Sequence, residues 1–271
     1  LGQPIEGQDL QQLKKGTATA EQVTVSFYVK GNAAALYVCE LFDTDNSRSI
    51  TQSFAVTTAW NRIELTFAAD TSDPLDDDNV ASLVVNFWLH GGATYTGGTF
   101  AVNTWNDQTA ANRYAVADRT SIFDATSRTF FITGVQMEIG STATDLESRS
   151  FGEELALCQR YLPAFNGITF LPGWGIIQTT SVVYYVVTFM VPTRVAPTGI
   201  TISAGSDFLC GDMVSSATTC SGITIGSSGL SSTVQGWLNA TANSANLTSV
   251  RPGMVKAKEA DAQLLFTGCE L

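Results

Sequence analysis

Val23-Thr24-Val25-Ser26-Phe27-Tyr28-Val29-Lys30 is the stretch whose reading decides the fold. Its odd positions are all apolar, and its even positions are polar or amphipathic. Successive side chains of an extended chain point to opposite faces, so this pattern is a strand with one face on a core. Working outward, the same alternation recurs in Arg62-Ile63-Glu64-Leu65-Thr66-Phe67 and in Ala81-Ser82-Leu83-Val84-Val85-Asn86-Phe87-Trp88-Leu89. Near residue 130 it predicts that Phe131, Thr133, Val135, Met137 and Ile139 face one way, with Gln136 and Glu138 opposite. The breaks between these runs are turn chemistry: Asp43-Thr44-Asp45-Asn46-Ser47, Ser72-Asp73-Pro74, Gly91-Gly92 and Gly97-Gly98. Many half-buried strands separated by such turns predict an antiparallel sandwich of jelly-roll type over residues 1–150.

One segment breaks the pattern. Glu153-Glu154-Leu155-Ala156-Leu157-Cys158-Gln159-Arg160-Tyr161-Leu162 is rich in helix formers, with acids in the first turn and Arg160 near the end, as the helix dipole favours. Pro163 stops it. The spacing predicts a short helical elbow over 151–163, with Leu155, Cys158 and Leu162 on one packed face. Beyond it, strand signals return at 181–190, 199–203 and 262–266, around a Ser/Thr/Gly/Ala-rich stretch from 203 to 249. Val182-Val183-Tyr184-Tyr185-Val186-Val187 is apolar on both faces, which predicts a doubly buried strand, one face meeting a neighbouring subunit. Pro192 and Pro197 confine Thr193-Arg194-Val195 to an edge or connector. The whole reads as all-β: a jelly roll, one short helix, and a second, C-terminal β domain over 164–271.

Composition narrows the function. Only 14% of the 271 residues are charged and 44% are hydrophobic, a folded chain's balance. With 14 Lys and Arg against 25 Asp and Glu the net charge is −11, and the densest cationic cluster is Lys14-Lys15. A phosphate backbone needs clustered cations, so nucleic acid is not an expected partner. No apolar run reaches membrane-spanning length, so no membrane insertion is expected. The start carries no secretory-signal pattern, and the missing initiator Met reads Leu1 as the start of a fragment. The five cysteines lack C-x-x-C spacing and are read as free, buried thiols suited to reducing cytoplasm, with a Cys210–Cys220 bridge across a hairpin as the alternative.

His90 is the only histidine, no G-x-S-x-G elbow supplies a nucleophile, and no Gly loop has phosphate-binding order. No enzyme is therefore expected, though a paired-carboxylate glycosidase remains an alternative. Trp60, just before a strand, is expected to anchor the core. Trp88, on the polar strand face with Asn86 and His90, is a candidate for sugar stacking or subunit contact. Tyr95, Trp105, Trp174 and Trp237 are placed in Gly- or Asn-rich loops, where an aromatic needs cover from a ligand or another chain. Asp76, Asp77 and Asp78 could gather oxygens around a structural Ca²⁺, with Asp43-Thr44-Asp45-Asn46 a weaker case. No other cofactor is expected.

Three stretches resemble the C-terminal regions of virion proteins of tailed phages, especially those of marine bacteria. They are 5–30, from Ile5-Glu6-Gly7-Gln8-Asp9-Leu10 to Val25-Ser26-Phe27-Tyr28-Val29-Lys30; Phe131-Ile132-Thr133-Gly134-Val135-Gln136-Met137-Glu138-Ile139-Gly140; and Gly152-Glu153-Glu154-Leu155-Ala156-Leu157-Cys158-Gln159-Arg160-Tyr161. The N-terminal part also resembles jelly-roll carbohydrate-binding modules, through the strand to Lys30 and Thr57-Thr58-Ala59-Trp60-Asn61-Arg62. Those modules often hold structural calcium, but Gln136 and Glu138 stand where paired aspartates are common. The resemblance implies a virion location after assembly in the host cytoplasm. It also implies a homotrimer joined to an upstream fibre shaft or other virion proteins, and the doubly apolar strand places the trimer contact chiefly after Pro163. The implied role is a tail-fibre receptor-binding protein that attaches to host-surface glycan. A head fibre or capsid decoration is the alternative.

Overall fold

In the computed structural model the chain opens with β1 (Gly2–Glu6), and the alternating stretch around Phe27 follows as β2 (Val23–Gly31). Then come β3 (Ala35–Asp43), β4 (Arg48–Val56), β5 (Asn61–Phe67), β6 (Ala81–Trp88), β7 (Asn106–Asp107) and β8 (Phe130–Ile139). The structure describes residues 1–167, 170–212, 217–226 and 229–270. They divide into two units, 1–148 and 149–270, each with its own core.

The first unit is an antiparallel sandwich. One sheet has the order β1-β6-β3-β4-β7 and the other β5-β2-β8, so the chain crosses between sheets after β1, β2, β4, β5 and β7. The odd-numbered residues of β2 are buried as the alternation predicts, and Phe27 crosses the core to meet Phe54 and Phe87 edge-on, at 5.1 and 5.0 Å. Each such ring removed from water contributes about 1.5–3 kcal/mol.

β8 departs from its predicted alternation. Its pairing with β2 slips between Ser26 and Tyr28, where a bulge places Gly134 at φ 59°. An extra residue reverses the faces on either side of it. Met137 pairs with Val25 and packs on the core, whereas Phe131 pairs with Lys30 and lies exposed with Val135. The five residues from Phe131 to Ile139 therefore do not share a face. Trp60 departs as well: it is 48% exposed at the mouth of β5, outside the core it was expected to anchor.

In the second unit Ser150 caps α1 (Phe151–Tyr161), which starts where the sequence places the helical elbow. The Ser150 hydroxyl accepts from the Glu153 N–H (3.3 Å) and the Glu153 carboxylate accepts from the Ser150 N–H (2.9 Å). This capping box satisfies two helix-end donors at once. No residue of α1 is buried; Phe151, Leu155, Leu157 and Cys158 are exposed, so the predicted packed face is uncovered.

The strands that follow are β9 (Ala164–Asn166), β10 (Gly173–Thr179), β11 (Val182–Thr188), β12 (Gly199–Ile202), β13 (Phe208–Asp212), β14 (Ala217–Ile225), β15 (Gln235–Ala242), β16 (Pro252–Ala257) and β17 (Gln263–Thr267). Six of them close a barrel in the order β10-β11-β15-β14-β13-β16, and β12-β17-β9 forms a small sheet sharing its core. Closure removes the exposed edges that an open sheet would carry. The Ser/Thr/Gly/Ala-rich stretch, in which the sequence showed no strand signal, supplies β13, β14 and β15. Their inward residues include Cys210, Cys220, Ile223, Leu238 and Ala240, small enough to fill a narrow barrel.

All five cysteines are free thiols, with Cys158 exposed and the other four buried. Burial pushes the Cys39 thiol far above its ordinary range. Inside the barrel the Cys210 and Cys220 thiols hydrogen-bond, which lowers the first and raises the second.

Two outcomes follow. Gly134→Ala forces a side chain into left-handed backbone with Tyr28 3.2 Å away, and should cost about 1–2 kcal/mol in urea unfolding. A water-soluble disulfide reagent at neutral pH should label Cys158 alone in the native chain and all five cysteines after denaturation.

Candidate binding site

The barrel wall facing outward between β10 and β15 gathers two of the aromatic residues singled out in the sequence. Antiparallel register places Trp174, Val186 and Trp237 in one cross-strand row and Ile176, Tyr184 and Asn239 in the next. Their sequence neighbours Ile177, Val183, Tyr185, Val187, Leu238 and Ala240 point inward and are buried. The doubly apolar strand is thus explained: β11 fills the barrel with Val183, Tyr185 and Val187 and floors an outer aromatic face with Tyr184 and Val186. Trp174 and Trp237 are strand residues, not loop residues, because alternation continues through the glycines beside them.

Trp174 is 65% exposed. Trp237 is half-buried, its ring 5.6 Å from that of Tyr184 and lying against Gly226, where any Cβ would collide with it. The Trp237 indole N–H donates to the Asn239 Oδ1 at 3.3 Å. The Asn239 NH₂ has no intramolecular acceptor among the described residues, and exposed Thr224 and Thr241 flank the row. The two rows hold no Asp, Glu, His, Lys or Arg. Exposed indole faces beside neutral amide and hydroxyl groups suit stacking on the apolar face of a sugar, with hydrogen bonds to its hydroxyls.

The aromatic residues of the sandwich serve other ends. Fully buried Glu40 on β3 accepts from Arg113 Nε and Nη2 at 2.7 and 2.6 Å, from Trp88 Nε1 at 2.8 Å and from Asn86 Nδ2 at 3.2 Å. The Arg113 guanidinium lies 4.9 Å from the Trp88 ring, and Tyr95 and Tyr114 pack at 5.0 and 6.3 Å. Trp88 is therefore a packing residue under the segment between β6 and β8, to which Tyr95 itself belongs. Trp88 also lines a cleft of about 440 Å³ with Asn86, His90 and exposed Phe123. Trp105 donates its N–H to the Ala68 carbonyl (2.7 Å) and packs on the core.

An aromatic pair went unpredicted. Exposed Trp60 and Phe131 bracket the Lys30 ammonium at 5.3 and 5.4 Å. The bulge at Gly134 turns Phe131 outward, and no periodicity signal foretells it.

Asp76, Asp77 and Asp78 do not converge. Asp78 Oδ1 accepts from the Val80 N–H, and Asp76 contributes its backbone N–H to Asp45. No group of three or more His, Cys, Asp or Glu residues among the described residues could hold a metal ion. Glu138 is held below the usual carboxylate range by hydrogen bonds from Gln136 and Thr144, so these two positions are spent on each other and on the 141–147 segment. His90 Nδ1 meets Ser121 Oγ at 2.8 Å, but that oxygen also takes the Phe123 N–H, and no carboxylate is bonded to the ring among the described residues. No described helix is long and apolar enough to cross a membrane. Neither a family model nor a curated protein matches the chain.

Removing one member of a buried ion pair leaves the other charge unpaired. Arg113→Ala should accordingly lower unfolding free energy by about 3 kcal/mol in denaturant titration, while Trp174→Ala, exposed on the barrel, changes it by under about 1 kcal/mol.

Proposed function

We propose that the chain is a non-enzymatic phage virion protein, the receptor-binding end of a tail fibre, that attaches to host-surface glycan through the aromatic wall of its barrel. The observation that carries the reading is the row Trp174–Val186–Trp237 with Tyr184 and Asn239 beside it: large apolar rings presented outward with neutral hydrogen-bonding groups. At −11 net charge the chain is repelled by an anionic cell surface over a Debye length of about 8–10 Å, so binding falls to short-range contacts. Stacking and neutral hydrogen bonds are short-range and salt-tolerant.

Three copies on one axis multiply weak contacts. The uncovered apolar residues of α1, Phe151, Leu155 and Leu157, supply a surface for trimer contact after the sandwich, and the aromatic wall then remains for the receptor.

The test is adsorption of fluorescent full-length protein to host cells, with light scattering to confirm three 28.9 kDa copies. Stacking contributes about 0.5–1.5 kcal/mol per aromatic contact. At about 1.4 kcal/mol per tenfold, Trp174→Ala in three copies should weaken adsorption roughly ten- to thousandfold with the trimer intact. Loss of the trimer in that variant would make the wall a subunit contact. Wild type that ignores every host but coats capsids would replace adhesion with a head-fibre or decoration role. A stable monomer would refute the trimer.

A further inference from the structure

We propose that Lys15 and Asp43 condense into an intramolecular isopeptide bond, with Asp70 as the proton relay. Lys15 Nζ lies 2.6 Å from Asp43 Oδ2 and 3.2 Å from Asp70 Oδ2, and the three side chains are each at most 5% exposed. By contrast, the Lys14–Glu21 and Lys258–Glu259 pairs stand in solvent. An amine attacks a carboxyl only when neutral, and the carboxyl yields only as the acid. Water holds such a pair in its charged form. Burial penalises both charges and brings the neutral pair, one proton transfer away, within reach.

The other parts of an acyl-transfer site surround the pair. The Asn46 backbone N–H donates to Asp43 Oδ1 at 2.9 Å, where negative charge gathers when nitrogen adds to the carboxyl carbon. The Asn46 NH₂ donates to Asp43 Oδ2 at 3.0 Å and to the Pro74 carbonyl at 2.8 Å, which fixes the carboxyl's orientation. Lys15 Nζ is aimed by the Ser72 and Asp73 carbonyls at 3.2 and 2.8 Å. Burial pushes the Asp70 carboxyl upward, but Arg48 at 3.0 and 3.3 Å and the Ser72 N–H hold it below the usual carboxylate range, so it remains a proton acceptor. Leu13, Val23, Leu41 and Phe67 wall the site, and the Trp105 ring lies 5.4 Å from Nζ. Groups fixed in reacting geometry reach effective concentrations of about 10⁵–10⁸ M, enough to drive a condensation that dilute groups in water do not undergo.

The Lys15 ammonium first passes one proton to Asp43 Oδ2, leaving a neutral amine and a carboxylic acid. The nitrogen lone pair then attacks Asp43 Cγ, and the carbonyl electron pair moves onto Oδ1, held by the Asn46 N–H. Asp70 takes a proton from the nitrogen and delivers it to the Oδ2 hydroxyl. The Oδ1 pair re-forms the carbonyl, the Cγ–Oδ2 bond breaks, and one water leaves. An adjoining cavity of about 20 Å³ has room for it. Asp70 ends as it began. Charge balances throughout: Lys15 and Arg48 face Asp43 and Asp70 beforehand, and Arg48 faces Asp70 afterwards. The amide fastens the loop before β2 to the end of β3 without any need for a buried ion pair.

Intact-mass measurement of the denatured full chain should find wild type lighter than its sequence by one water. Trypsin should then release residues 15–30, joined through Lys15 to Asp43 of residues 31–48, as one branched peptide with no cleavage after Lys15. Lys15→Arg and Asp43→Ala should keep the full mass and give separate peptides, and Asp70→Asn should leave most chains unjoined. The wild-type result stands whether or not a variant folds. Wild type of full mass overturns the proposal, as does a water lost elsewhere, which leaves the two segments separate. An Asp70→Asn chain that folds and joins as completely as wild type overturns the relay.

Discussion

Two carboxylates buried on one strand govern the sandwich. Glu40 and Asp43 both lie on β3, in the middle of the five-stranded sheet, and neither is exposed at all. A buried carboxylate without a partner is costly enough that the surrounding chain must bring a cation to it. Because Glu40 and Asp43 fall on opposite faces of the strand, the cations arrive from different directions. Arg113 reaches Glu40 from the long segment between β6 and β8, which roofs the outer face of the sheet. Lys15 reaches Asp43 from the N-terminal loop at the sandwich's end. The positions of both segments, and the packing of Trp88, Tyr95 and Trp105 beneath or beside them, follow from those two pairings.

The same economy appears at Asp70. Burial pushes its carboxyl upward, but Arg48, the Ser72 N–H and Lys15 outweigh burial and hold it below the usual carboxylate range. A depressed carboxyl contributes stability that is present above its unfolded value, about 3.9, and is lost as pH falls through the folded one. This end of the sandwich is therefore acid-sensitive and otherwise self-sufficient in charge.

In the barrel the buried Asp212 on β13 meets Arg251 at 3.3 Å, and the rest of the described interior is largely apolar. The barrel core is filled by small and branched side chains, by Phe189, Phe208 and Phe266, and by the Tyr185 phenol, whose hydroxyl donates to the Leu171 carbonyl at 2.8 Å. With its interior satisfied this way, β11 can carry large apolar residues on its outer side too, and these form a face with neighbours from β10 and β15. Both units bury aromatic rings, Phe27, Phe54 and Phe87 in one and Phe189, Phe208 and Phe266 in the other. They differ in that Trp88 helps enclose a buried carboxylate, whereas Trp174, Tyr184 and Trp237 line the barrel's outer wall.

The sequence by itself determined what depends on neighbours along the chain. Alternation in β2, β5 and β6 located strands and their buried sides, since side-chain period is a local property of extended backbone. The helix formers and first-turn acids of α1, with Arg160 near its end and Pro163 after it, likewise sufficed to place and orient a helix. Only the tertiary structure decided the rest. One bulge at Gly134 reversed the face of Phe131, because register belongs to a pair of strands rather than to one. Barrel closure gathered Trp174 and Trp237, 63 positions apart in the chain, by ladder pairing through β11, and it drew three strands from a stretch too poor in large apolar residues to announce them. Trp60 and Trp88 exchanged their expected places, because burial is set by what packs over a residue: the segment carrying Arg113 covers Trp88, whereas Trp60, above Lys30, stays exposed.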